Sequence, residues 1–127
     1  MATTKTTPRR RWRDYRTIAG ARPVKEFLDE LADAEVAAIV AGMREVTERG
    51  LTAAKHLRGD IYEVRAEAST RSFRLLFSAE GRLSQVLLSL SAFAKKTQKT
   101  PPRELELAER RLRDWRGRRK PALAAKP

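Results

Sequence analysis

The sequence predicts an α+β domain in which helices pack on one face of an antiparallel sheet. Apolar residues recur every three to four positions up to Gly50, as on a helix, and every second position after residue 60, as on a strand. The most apolar stretch, residues 86–90, is followed by Pro101 and Pro102, which are suited to open a further helix. Helices first, then strands, then one helix is the order of an α+β architecture.

The length of the chain indicates one domain. At 127 residues, a chain of this size buries roughly two thirds of its unfolded surface in a single core. We expect this domain to occupy residues 10–116. Residues 1–9 and 117–127 are rich in Thr, Pro, Ala and basic side chains and have no apolar periodicity. We therefore expect both segments to be flexible basic tails.

Local patterns predict the elements of the first half. Residues 12–18 alternate only roughly between aromatic or apolar and charged side chains, which indicates a first strand. Pro23 suits the first position of a short helix, because its missing N–H costs nothing there. Asp33 is predicted to cap a longer helix that Gly50 ends. The apolar faces of the two helices comprise Val24, Phe27, Leu28 and Leu31, then Val36, Ile39, Val40, Met43 and Val46.

The second half is predicted to form three consecutive antiparallel strands and a helix. Inward-facing side chains alternate with polar ones on the first two strands: Tyr62, Val64 and Ala66, then Phe73, Leu75 and Phe77. The third strand, residues 85–93, is nearly continuous in apolar residues, which indicates a central, well-covered position. The last helix presents an apolar seam of Leu105, Ala108, Leu112 and Trp115. With the N-terminal strand, the sheet has about four strands.

The net charge of +12 favours a polyanionic partner. Residues 1–17 carry a net charge of +5 and residues 117–127 a net charge of +4, so the ends hold most of the excess. Within the domain, residues 25–49 contain seven acidic and three basic groups, whereas residues 55–103 contain four acidic and ten basic groups. The domain therefore has an acidic half and a basic half.

Composition also excludes several classes of protein. The chain has no cysteine, so a disulfide framework and a thiolate metal site are excluded, and a reducing cytoplasm is the natural compartment. The N-terminus lacks the apolar run of a signal peptide, and the stretch near residue 90 is far shorter than a membrane span of ~20 residues. We expect a cytoplasmic protein that uses no metal and does not associate with a membrane.

A basic face is predicted on the side of the sheet that the helices leave open. Burying Phe73, Leu75 and Phe77 stabilises the fold by ~2 kcal/mol each, so Arg74 must point the other way. The same alternation places Arg65 outward and allows Ser89, Ser91, Phe93 and Lys95 to share that face, with Lys96 and Lys99 beyond the strand end. The alternative explanation is an ordinary solvated face, with Glu63 and Glu67 in weak surface bridges to the arginines.

Four stretches of the sequence resemble the RelE superfamily of bacterial toxins, specifically its HigB-like branch, which includes many phage-derived members. They are RPVKEFLDEL (22–31), LRGDIYEVRAE (57–67), SFRLLFS (72–78) and, most specifically, FAKKTQKTPPRELELAERR (93–111). The resemblance covers residues 15–116. It implies a compact, antiparallel-rich sheet of about four strands, an N-terminal helical pair on one face and a C-terminal helix.

The resemblance also implies an activity and partners. The implied protein is the toxin of a type II toxin–antitoxin system, a ribosome-dependent mRNA endonuclease that inhibits translation and is neutralised by a cognate antitoxin. It acts on the ribosome and mRNA with no metal and no small-molecule cofactor. Cleavage of this kind needs cations to stabilise the phosphorane. The implied catalytic residues are Arg65, Arg74, Lys95 and Lys96, and the implied RNA-binding residues are Lys99, Gln98 and Arg71.

One departure from the family keeps other functions open. Relatives often transfer protons with a histidine or tyrosine near the end of the third strand, where this chain reads LSLSAFAKK and offers Ser91. The single histidine, His56, precedes the strands and is expected to be structural. The alternatives are a ParE-like toxin that poisons DNA gyrase, and a noncatalytic module that binds nucleic acid or an antitoxin.

Overall fold

The computed structural model describes residues 9–96 and 99–119, which form a five-stranded sheet and three helices. The strands are β1 (Arg11–Asp14), β2 (Lys55–Arg58), β3 (Ile61–Glu67), β4 (Ser72–Glu80) and β5 (Val86–Lys95). The helices are α1 (Pro23–Asp29), α2 (Asp33–Arg49) and α3 (Pro102–Arg119). The strand order is β1-β5-β4-β3-β2, and all neighbours are antiparallel except β1 and β5, which are parallel. The α+β prediction is confirmed.

The sheet has one strand more than expected. β2 forms a hairpin with β3 through a turn at Gly59, whose φ of 55° favours glycine. Its sequence, KHLR, is mostly exposed and lacks alternation, so no apolar pattern marks it. The first strand, in turn, ends at Asp14 and not near residue 18, because the chain turns where the Gly20 N–H donates to the carbonyl of Thr17 at 2.9 Å.

The helical pair begins and ends close to the predicted positions. Pro23 is the first residue of α1, as predicted. In α2, Asp33 is the first helical residue and not the cap, because the Glu35 carboxylate accepts a hydrogen bond from the Ala32 N–H at 3.1 Å. Gly50 ends α2 with a φ of 80°. This φ is strained for any residue with a side chain, and the Arg10 guanidinium, which would lie 2.9 Å from an added Cβ, would also have to shift.

α1 and α2 pack on one face of the sheet and form the first core cluster. Its fully buried side chains come from both helices and from β3, β4 and β5: Val24, Ile39, Val46, Val64, Phe73, Leu75, Phe77 and Leu87. The two layers approach most closely at Gly42, where an added Cβ would lie 2.7 Å from Cγ1 of Val64. Trp12 of β1 joins this cluster by packing edge-on against Phe77 at 5.0 Å between ring centroids.

The other face is covered by α3, so the expectation that all helices lie on one face is wrong. A second core cluster contains Leu76, Leu88 and Leu90 from the sheet, and Ala108 and Leu112 from α3. The three leucines point away from α1 and α2, and leaving them in water would forfeit the free energy of burying them. α3 supplies the apolar surface that covers them.

A bulge in β5 changes which residues share a face. Leu76 of β4 lies opposite Ser91, and the next residue, Phe77, lies opposite Ser89, which leaves Leu90 without a partner in β4. Arg111 of α3 donates to the Leu90 carbonyl at 2.8 Å. Ser89 and Ser91 therefore lie on opposite faces of the sheet. The prediction from simple alternation, that they share a face, is wrong.

The C-terminal end of α3 extends past the domain boundary expected at residue 116. The helix continues to Arg119, and Arg118 donates to the Arg16 carbonyl at 2.5 Å and to the Asp114 carboxylate at 2.8 Å. The remainder of the expected tails, residues 1–8 and 120–127, lies outside the described residues. Among the helices that the structure describes, none is long and apolar enough to span a bilayer.

Candidate active site

The pairing of β3, β4 and β5 brings several predicted residues together on the face that α3 partly covers. Arg65 lies opposite Arg74, which lies opposite Phe93, so these side chains form one row across the three strands. In the next row, Glu67 lies opposite Ser72, which lies opposite Lys95. Side chains directly opposite each other on adjacent antiparallel strands are about 5 Å apart at Cβ. The two rows therefore form one continuous surface at the end of the sheet.

Arg74 lies beneath this surface, which corrects the expectation that it points into solvent. Its side chain is 4% exposed. Its guanidinium donates to its neighbour's carbonyl, that of Phe73, at 2.9 Å, and its Nε lies 3.7 Å from Oε1 of Glu63. Desolvation lowers the pKa of Arg74, and the Glu63 carboxylate opposes this shift. Arg74 is therefore a buried arginine and not a cation on the surface of the sheet.

Glu63 is a buried carboxylate at the base of the site. Its side chain is 1% exposed, and Oε1 accepts a hydrogen bond from Nε of Arg65 at 3.3 Å. The hydroxyl of Thr100 donates to Oε2. Because Thr100 belongs to the connection between β5 and α3, Glu63 links that connection to β3. Of the two carboxylates that were expected to form weak surface bridges to the arginines, Glu63 is buried and Glu67 is exposed.

The cations that reach the surface come from β3, from the end of β5 and from the following connection. The Arg65 side chain is 49% exposed, Lys95 is half-buried, and Lys96 and Lys99 are exposed. Gln98 lies outside the described residues. Arg65 of β3 and Lys95 of β5 share one face of the sheet, and Lys96 and Lys99 belong to the connection that follows β5. We call these four residues the basic face.

Lys55 is a member of this surface that the sequence reasoning missed. It lies opposite Glu63 in the β2–β3 pair and therefore on the same face as Arg65. Lys55, Glu63 and Arg65 line an open recess of about 490 Å³ together with the chain that precedes β2. No sequence signal identified Lys55, because β2 itself was not predicted.

Arg71 lies on the opposite face of the sheet from the basic face. Its Nε is 3.0 Å from Oε2 of Glu35 on α2, and its guanidinium lies over the ring of Phe73 at 5.2 Å. Hydrogen bonds from Arg71, Thr70 and the Ala32 N–H lower the pKa of Glu35 to about 2. Arg71 therefore fastens the start of β4 to α2, and its predicted RNA-binding role finds no support from its position.

The remaining candidates divide between the two faces. Ser91 donates to the Glu104 carboxylate of α3 at 2.9 Å, so its hydroxyl is used in attaching that helix. His56 lies on the α1 and α2 face, where its ring is 4.9 Å from that of Tyr62 and Nε2 is 2.8 Å from the Gly59 carbonyl. Among the described residues, no group of three or more His, Asp or Glu side chains is arranged to hold a metal ion.

A sheet with a helical pair on one face and a C-terminal helix on the other agrees with the fold of RelE- and HigB-type toxins that the sequence implied. Over residues 26–113, the chain matches the family described as phage-derived protein Gp49-like, and it belongs to that family. Two similar relatives are each named probable endoribonuclease HigB1, from Mycobacterium tuberculosis strains CDC 1551 / Oshkosh and ATCC 25618 / H37Rv. Each is 38% identical over 109 residues, which are 83% of this chain and 84% of the relative. The resemblance identified from the sequence is confirmed.

Proposed function

We propose that this chain is the toxin of a toxin–antitoxin system and acts as an endoribonuclease that cleaves mRNA on the ribosome. The observation that carries the proposal is the convergence of cations from separate strands at the basic face, above the buried Glu63. The name of the two mycobacterial relatives supports the same activity. A cognate antitoxin, the ribosome and mRNA are the proposed partners, and the cytoplasm is the proposed compartment.

The chemistry that fits this site needs no metal. The 2′-hydroxyl of the substrate loses its proton to a base and attacks the adjacent phosphorus. The bond from phosphorus to the 5′-oxygen breaks, and that oxygen takes a proton from an acid. The products are a 2′,3′-cyclic phosphate and a free 5′-hydroxyl. Negative charge accumulates on the phosphorane oxygens in the transition state, so fixed cations lower the barrier.

We assign the cationic role to Arg65 and to Lys95, Lys96 and Lys99, with Lys55 as an added contact. Arg65 is well suited to phosphate, because guanidinium binds it with two parallel N–H groups and Glu63 fixes the orientation of Nε. Arg74, which is buried beneath the same row, is assigned to hold Glu63 and Arg65 in position. Its predicted catalytic role thus becomes indirect.

Glu67 is our candidate for the base. Its side chain is 68% exposed, it accepts a hydrogen bond from the Ser72 hydroxyl, and it shares a row with Lys95. A carboxylate that shares a row with a lysine provides a proton acceptor and a proton donor on one surface. This assignment supplies the proton transfer for which the family's histidine or tyrosine is missing.

The proposal is tested with ribosomes that translate a defined mRNA. The wild-type protein should generate new mRNA ends with 5′-hydroxyl groups, in the presence of EDTA at levels that leave the ribosome intact. Arg65→Ala should reduce the cleavage rate by about 10²-fold, the effect typical of removing one donor to a transition-state anion. Glu67→Gln should reduce it by a similar factor.

Arg44→Ala is the matched control, because Arg44 is an exposed arginine of α2 on the other side of the molecule. It should cleave at the wild-type rate, and thermal unfolding should show that every variant is folded. If the wild-type protein yields no new mRNA ends but arrests DNA gyrase on DNA, the gyrase-poisoning alternative is correct. If Arg65→Ala cleaves as fast as Arg44→Ala, the site is misplaced.

A further inference from the structure

A second basic cleft lies at the free edge of β1, away from the basic face. Its volume is about 550 Å³, and it is bordered by β1 and the segment after it, by the start of α1 and by the C-terminal end of α3. Four arginines and one carboxylate line it, together with two tryptophans: Arg13, Arg16, Arg22, Arg118, Asp14, Trp12 and Trp115. We call it the arginine cleft.

Two of the four guanidinium groups are already held by carboxylates. Arg22 binds Asp14 through Nε at 2.8 Å and Nη2 at 2.7 Å, and these bonds lower the pKa of Asp14. Arg118 is held by Asp114 at 2.8 Å and by the Arg16 carbonyl at 2.5 Å. These contacts fix the walls of the cleft and leave its net charge positive.

The other two arginines are available for a ligand. Arg13 and Arg16 are exposed, and neither side chain makes a hydrogen bond or an ion pair with any residue that the structure describes. They lie near the C-terminal end of β1, close to the fixed guanidinium of Arg22. Among the described residues, the guanidinium groups of Arg13 and Arg16 therefore have no hydrogen-bond acceptor, and unpaired N–H donors in a cleft of net positive charge are suited to bind an anion.

We propose that the arginine cleft binds the sugar–phosphate backbone of RNA outside the active site. Positive charge supplies most of the affinity of sequence-independent RNA binding. The two chain segments that border the cleft also belong to the most basic parts of the sequence, since residues 1–17 and 117–127 carry net charges of +5 and +4. An acidic peptide fits less well, because protein interfaces rely on accessible aromatic anchors, whereas Trp12 packs against Phe77 in the core and its Nε1 donates to the Met43 carbonyl at 3.0 Å.

The position of the cleft makes it a docking site and not part of the reaction centre. β1 lies next to β5, which ends at Lys95, and is separated from β3 and Arg65 by β5 and β4. At a strand spacing of ~4.8 Å, the backbones at the cleft and at Arg65 are ~14 Å apart across the sheet. The inference rests on the proposed function in one respect, that RNA is the polymer bound.

The test is the salt dependence of RNA binding by the full-length protein. The probe is a fluorescent 20-nucleotide RNA with 2′-O-methyl groups, which blocks cleavage and separates binding from activity. For single strands, each neutralised phosphate contributes ~0.7 to the slope of log K against log salt concentration. The double variant Arg13→Ala with Arg16→Ala should therefore bind more weakly and show a slope shallower by about 1.4. Arg44→Ala with Arg82→Ala is the control, because it removes the same charge at exposed sites elsewhere.

The outcomes separate this inference from the proposed function. If the double variant and the control have equal affinities and slopes while the wild type cleaves mRNA, the cleft inference is wrong and the active site stands. If the double variant loses affinity for an antitoxin but keeps the slope of the control for RNA, the cleft binds protein and the inference is again wrong. If the slope falls as expected but no cleavage occurs in the ribosome assay, the cleft stands and the proposed reaction is wrong.

Discussion

Two buried or nearly buried carboxylates organise arginines on opposite faces of the same part of the sheet. Glu63 holds Arg65 and approaches Arg74 on the α3 face, and Glu35 holds Arg71 on the α2 face. Alternation along β3 and β4 predicted correctly that Arg65 and Arg74 share a face. It could not predict their different exposure, because period 2 assigns a side chain to a face without saying what covers that face.

At the residue scale, Glu35 should make stability depend on pH. Its folded-state pKa is lowered to about 2 from an ordinary value of 4.5, so its contribution is fully present above pH 4.5 and is lost as the pH falls toward 2. We expect the difference in unfolding midpoint between the wild type and Glu35→Gln to shrink over that range. Urea titrations at several pH values measure it.

The control for this prediction is Glu45→Gln, because Glu45 is an exposed carboxylate of α2 that pairs with Arg49 at the surface. Exposed pairs of this kind contribute little to stability. The difference in unfolding midpoint between Glu45→Gln and the wild type should stay small at every pH. A constant difference between the wild type and Glu35→Gln from pH 4.5 down to pH 2 would contradict the assigned role of Glu35.

At the element scale, sequence patterns predicted the elements that bury one regular face and missed the others. The helical pair, β3 and β4 show their periods and β5 is nearly continuous in apolar residues, whereas β2 pairs mainly through its backbone and carries mostly exposed side chains. The position of α3 was also indicated in the sequence. Val86, Leu87 and Leu88 are apolar at successive positions, and a strand that is apolar on both sides needs cover on both faces. That signal is incompatible with an open face over the whole sheet.

The contact between α2 and β3 gives a prediction about element packing. Gly42→Ala would place a Cβ 2.7 Å from Cγ1 of the stiff, buried Val64. Overpacking costs ~2 kcal/mol and the better helix propensity of alanine returns ~1 kcal/mol, so we expect a net loss of about 1 kcal/mol in the free energy of unfolding. Chemical denaturation at a single pH is sufficient to measure it.

Two further variants control for this result. Gly117→Ala, in α3, adds a Cβ that meets nothing within 4 Å and should stabilise the protein or leave it unchanged. Val64→Ala should cost less in the Gly42→Ala background than in the wild type, because it removes the clash as well as a buried side chain. Equal costs in both backgrounds would show that the two residues do not compete for space.

At the scale of the whole molecule, the sheet is the middle layer between α1 with α2 on one side and α3 on the other. β4 and β5 lie inside this sheet, where β4 is almost entirely buried and β5 is buried over residues 86–91, whereas β2 forms an exposed edge. The basic face lies where the cover of α3 ends and the connection from β5 begins. The sequence could identify most of its cations because they are consecutive with an apolar strand, but Lys55 reaches the site through a pairing that only the three-dimensional fold reveals.

This layering predicts the order of amide hydrogen exchange. Exchange should be slowest at residues 86–90 of β5 and 73–78 of β4, because opening them requires both covering layers to separate. It should be fastest, among the strands, in β2. Mass spectrometry of peptides after timed exchange resolves these segments. Protection of β2 equal to that of β5 would indicate that the edge strand is covered by something other than α3.

The placement of the end of α3 beside β1 offers a route to observe the arginine cleft directly. The chain contains no cysteine, and Gly117 lies one helical position from Arg118 with open space around its Cα. A fluorophore attached to a single Gly117→Cys substitution would therefore sit one residue from the arginine that closes the cleft, with no second thiol to compete for the dye. Its emission would report the arrival of a nucleic acid there while Arg65, on the other side of the sheet centre, remains unmodified.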